Sequence, residues 1–105
     1  MNFVEHQMPF IAKIIDFYYN NYKLFKLVYG YKNKVNKDIV EQMIESKNPT
    51  IKKVDKNVWE INGRIFEVIQ DHYLEVIFVK LIQDKEEWKF RIAETFIKEW
   101  MKYKL

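Results

Sequence analysis

The chain has no cysteine, one serine, two glycines, two prolines and two histidines in 105 residues. Each scarcity removes a class of function. Without cysteine there is no disulfide framework, no thiolate nucleophile and no Cys-ligated metal, and a reducing, cytoplasmic location is the matching expectation. Glycine occurs only at Gly30 and Gly63, which excludes a glycine-rich phosphate loop and a dinucleotide fingerprint. The single serine, Ser46, has no histidine near it in sequence, so a serine-nucleophile pair is not indicated. No stretch reaches the ~18 uncharged apolar residues of a membrane span. Residues 1–9 lack the basic segment that leads a secretory signal, and no membrane association is expected.

The residues that carry chemistry elsewhere are thinly spread. Asp71, His72 and Glu75 cluster within five positions, but Asp and His before a strand are also ordinary turn residues, at no recognised ligand spacing. Glu67, Asp71, Glu75 and Lys80 loosely resemble the acid-and-lysine content of a nuclease core. Glu75 and Lys80 are five apart, however, and a strand would point them to opposite faces. The expectation is therefore a protein that is not an enzyme, with no catalytic residues, metal or cofactor.

What is abundant is aromatic and charged. Aromatic residues make up 17% of the chain, and seven of them, Phe17, Tyr18, Tyr19, Tyr22, Phe25, Tyr29 and Tyr31, fall between Asp16 and Lys37. Pro9 suits a first helical turn. From Phe10 onward the polar residues Lys13, Asp16, Asn20, Lys23 and Lys26 are spaced by three or four, one narrow stripe along a helix that is otherwise apolar or aromatic to Tyr29, with Asn21 the main exception. Gly30 supplies its C-terminal cap. The spacing thus predicts one long helix from Pro9 to Tyr29, with its aromatics mostly in the core. A rod apolar around most of its girth needs cover on more than one side.

Lys32 to Lys37 reads as a basic linker. A short helix follows with Asn36 or Asp38 as its N-cap, Asp38 and Glu41 resembling a capping box, and ends at Asn48-Pro49. Residues 51–82 read as β. Asn62-Gly63 between two β-rich runs is the signature of a two-residue type I′ hairpin, which sets Ile61 opposite Arg64 and Trp59 opposite Phe66. One face of that hairpin is then Trp59, Ile61, Phe66 and Val68, a clean core face. The other, Val58, Glu60, Ile65, Glu67 and Ile69, is mixed. Tyr73 to Ile82 is a nearly continuous apolar strand, and residues 50–54 add a short edge strand. Asp84 to Glu87 offers a second capping box, leading into a long C-terminal helix with Trp88, Ile92, Phe96 and Trp100 at four-residue spacing. The fold class expected is α+β: a long then a short N-terminal helix, a three- to four-stranded antiparallel meander, and a long C-terminal helix packed on the sheet, all within one domain, 1–105.

The net charge is +3, and its excess is local: residues 23–56 carry nine lysines against Asp38, Glu41, Glu45 and Asp55, a net of +5. Two functional expectations follow. The first is a small non-enzymatic protein-binding module, a homodimer that docks on an unidentified partner protein, of the kind mobile elements use as accessory or inhibitor proteins. Its interface would be the aromatic side of the first helix: Phe17, Tyr18, Tyr22, Phe25 and Tyr29. The alternative is nucleic-acid binding through Lys32, Lys34, Lys37, Lys52, Lys53 and Lys56, which would exchange counterions for phosphates, with Tyr31 stacking on a base. With only two arginines, base-specific reading is not expected.

Overall fold

The structure is a computed structural model that describes residues 3–22, 27–29, 37–82 and 87–104. Among these residues the elements are α1 (Phe3–Tyr22), β1 (Leu27–Tyr29), α2 (Lys37–Glu45), β2 (Ile51–Asp55), β3 (Val58–Ile61), β4 (Arg64–Asp71), β5 (Val76–Leu81), β6 (Lys89–Ala93) and α3 (Glu94–Lys104). Strands β2 to β6 form a five-stranded antiparallel meander. β1 joins its far edge parallel to β6, giving the order β1-β6-β5-β4-β3-β2. The class is α+β, with helices grouped against an antiparallel sheet.

The hairpin is as the sequence indicates. Asn62 and Gly63 both take positive φ, 49° and 81°, and Ile61 pairs with Arg64 and Trp59 with Phe66. That register carries through the meander, because Phe66 pairs with Leu81, Val68 with Val79, Ile77 with Ile92 and Val79 with Phe90. With side chains alternating along each strand, these residues line one inner face, and every one of them is buried.

The helices lie on this inner face. In α1, Val4, Met8, Ile11, Ile15 and Tyr19 recur at helical spacing and are buried with it. Val40 and Met43 of α2 and Phe96 and Ile97 of α3 complete the same cluster. At its centre Trp88 packs against Tyr19, Phe66 and Phe90 with ring centroids 5.4, 5.8 and 5.0 Å away, the tilted and edge-on geometry that aromatic quadrupoles favour. Lys13, which spacing places on the polar stripe, is buried. Its amine donates to the Ile44 carbonyl at the end of α2, 3.1 Å away, where a cation complements the helix dipole. No described helix is long and apolar enough to cross a membrane.

Three expectations are corrected. The first helix begins at Phe3, not Pro9, and ends at Tyr22, not Tyr29. Val4 and Met8 extend the buried stripe of Ile11 and Ile15 by two turns, and burying them outweighs the one backbone bond that Pro9 cannot make. Leu27–Tyr29, expected in the helix, is strand β1: the exposed edge of β6 offers a ladder that this short β-branched and aromatic run completes. The C-terminal helix starts at Glu94 and is short, with residues 89–93 forming β6. Trp88 and Ile92 share a face at a period of two as well as at 3.6. Only Phe90 separates the readings, and it is buried beside them, as in a strand. The strands therefore number six among the described residues, not three or four.

Candidate protein-docking face

The side chains that alternate with the core residues form the outer face of the sheet, on which no described helix packs. Its centre is apolar. Ile69 pairs with Phe78 across β4 and β5. Val58, Ile65 and Val76 surround them half-buried, while Ile69 and Ile82 keep 38% and 43% of their surface. The face of an isolated antiparallel sheet that meets water is normally polar. Here aliphatic and aromatic side chains take most of the central positions.

Charge is uneven across this face, with Lys52 of β2 opposite Glu60 at one edge. Glu60 and Glu67 stand on β3 and β4; Lys80, Lys89 and Arg91 stand on β5 and β6. Lys80 lies opposite Glu67 on one side and Lys89 on the other. Among the described residues neither Glu67 nor Lys80 closes an ion pair, and two lysines directly opposite repel each other. Arg91 lays its guanidinium over Phe78, 5.4 Å from the ring centroid, a contact that keeps a cation at the apolar centre.

The five aromatic residues expected at the interface fall on several parts of the chain. Phe17 and Tyr18 are half-buried against the core, with Tyr18 5.4 Å from Phe90 between ring centroids. Tyr29 is part of β1, Tyr22 ends α1, and Phe25 lies outside the described residues. Of the basic set, Lys32, Lys34 and Tyr31 also lie outside them, and Lys37 opens α2. Lys52 and Lys53 point to opposite faces of β2, and Lys56 is exposed in the turn after it. Lys53 forms an ion pair with Glu5 and sits over the Trp59 ring, 5.7 Å from its centroid. The Lys53 hydrogen bond and charge hold the Glu5 carboxyl below its ordinary value.

Beside this pair is an open groove of about 390 Å³, walled by Val4, Trp59 and Ile69 with Lys56, Gln70 and His72 at its polar side. Among the described residues no three His, Asp or Glu side chains converge as metal ligands, and the Asp71 carboxylate accepts from the Leu74 amide within its own turn, 2.9 Å away. The mixed outer face of the first hairpin was legible in the sequence. Its continuation onto Phe78, Lys89 and Arg91 was not, because residues 88–93 carry a helical spacing. No family model, curated protein or solved structure matches the chain.

Proposed function

We propose that this chain is a small protein-binding module without catalytic activity, and that it docks through the outer face of its sheet. The observation that carries the reading is the run of Ile65, Ile69, Val76, Phe78 and Ile82 on a sheet face that no described helix covers. Contiguous apolar surface rimmed by charge is the usual mark of a protein interface. A second support is how the polar side chains are used. Asp16, Asn62, Lys13, Asp71, Gln70 and Glu94 make bonds that join elements or close turns. A protein of this design acts by covering a surface of its partner, as inhibitors and accessory subunits do.

The test is site-specific photo-crosslinking of the full chain in cells, with the crosslinker in place of Ile69, Phe78 or, as control, the exposed Thr95 on α3. A protein adduct is expected from positions 69 and 78 and not from 95. Absence of any adduct at 69 and 78 refutes docking through this face, and adducts with nucleic acid there would favour phosphate binding instead.

A further inference from the structure

Resting on that reading of the outer face, we infer that its occupant is a second copy of this chain, packed sheet to sheet about a two-fold axis parallel to the strands and midway between β4 and β5. The inference comes from how charge is distributed. Two sheets stacked face to face can be related by an axis along the strands or across them. An axis across the strands lays each strand on its own image, so at no level does Lys80 or Lys89 meet Glu67 of the second copy. An axis along the strands exchanges the two halves of the sheet. Lys80 then lies over Glu67 of the second copy and Glu67 under its Lys80, because the two residues share one level across β4 and β5. Phe78 meets Ile69 of the second copy in the same way, one pair further along. Lys89 shares that level and crosses Val58 of β3, so the charge match rests on Lys80 and Glu67.

Only the second arrangement is self-complementary, as an isologous interface must be. It also answers the one local conflict on this face. Lys80 and Lys89 are direct cross-strand neighbours, and like charges in that position destabilise a sheet. A glutamate arriving from above neutralises the pair. The size is adequate: strands ~4.8 Å apart and ~3.3 Å long per residue give a face of roughly 500 Å² per copy. The two together reach the ~1,000 Å² at which specific interfaces begin. Sheets pack in this way at ~10 Å separation with strands aligned to within about 30°. The dimer so formed is a reversible one, with half-association in the micromolar range.

The experiment is sedimentation equilibrium of the full chain across the micromolar range, with circular dichroism to establish that each variant is folded. Wild type is expected to dimerise. Lys80→Glu and Glu67→Lys each place two like-charged contacts in the dimer, and each should weaken association by at least about tenfold. The double swap Glu67→Lys/Lys80→Glu restores opposite charges across the axis at unchanged net charge and should recover association. Phe78→Asp should abolish it. A wild type that stays monomeric throughout overturns the two-fold pairing. If crosslinks to a different protein still form at position 78, docking survives and only the identity of the occupant was wrong. A dimer indifferent to all four variants uses another surface and overturns the inference, while the crosslinks at positions 69 and 78 decide the reading beneath it.

Discussion

The side chain of Asn62 joins three parts of the chain, and its removal has a cost that can be divided. Its amide nitrogen donates to Asp16 on α1 and its oxygen accepts from the Thr50 backbone amide before β2, each at 3.0 Å. Its own backbone sits at φ 49°. Both bonds are exposed, so each contributes toward the low end of the usual range, ~0.5 kcal/mol. A left-handed conformation costs a residue with a Cβ ~1 kcal/mol, and Asn less because its side chain bonds locally. Asn62→Gly loses the bonds but not the conformation, and should cost about 1 kcal/mol. Asn62→Ala loses both and should cost about 2 kcal/mol, a fall in melting temperature of roughly 8–16 °C for a domain of this size. Asn62→Asp keeps the acceptor for Thr50 but sets a second carboxylate against Asp16. It should be destabilising at neutral pH and recover when Asp16→Asn is added. Urea denaturation followed by circular dichroism measures all four variants. If Gly and Ala cost the same, the backbone share is wrong. If neither matters, the hairpin turn is not what anchors α1 to the sheet.

The remaining predictions concern separate parts of the molecule. Gly63→Ala meets nothing within 4 Å yet holds φ at +81°, so it should cost ~1 kcal/mol in urea midpoint from backbone strain alone. Trp88 is fully buried with no partner for its indole N–H among the described residues. Trp88→Phe removes an unpaired donor along with the lost area, and should cost about 1–2 kcal/mol, against the ~3–5 kcal/mol of Trp88→Ala; both are read by chemical denaturation. The Glu5 carboxyl, depressed by Lys53, should titrate below an ordinary glutamate by NMR, and return toward it in Lys53→Gln. Because its folded value is the lower one, the ion pair's contribution is present above the unfolded-state value and fades as pH falls through the folded one.

Local rules were enough where the signal is carried by neighbours in sequence. Asn-Gly is among the few dipeptides that favour positive φ twice in succession, and once the turn is placed a period of two settles which of Val58 to Ile69 are core. The mixed composition of Glu60, Ile65, Glu67 and Ile69 was equally visible, and it forms part of the proposed docking face. The lysines of residues 23–56 were also plain in composition. Their convergence was an assumption about three-dimensional placement, and Lys52 and Lys53 fall on opposite sides of one strand.

By itself, then, the sequence determined an α+β chain with a buried N-terminal helix, a type I′ hairpin in known register, and a core without sites for thiol or phosphate-loop chemistry. Tertiary structure decided Leu27–Tyr29 and Lys89–Ala93. Each is a run of about five residues or fewer whose apolar positions satisfy more than one period. What distinguishes helix from strand there is whether a neighbouring strand supplies hydrogen-bond partners. β5 supplies them to β6, and β6 supplies them to β1 across a separation of some sixty residues. No window short enough to be read as a pattern contains that information.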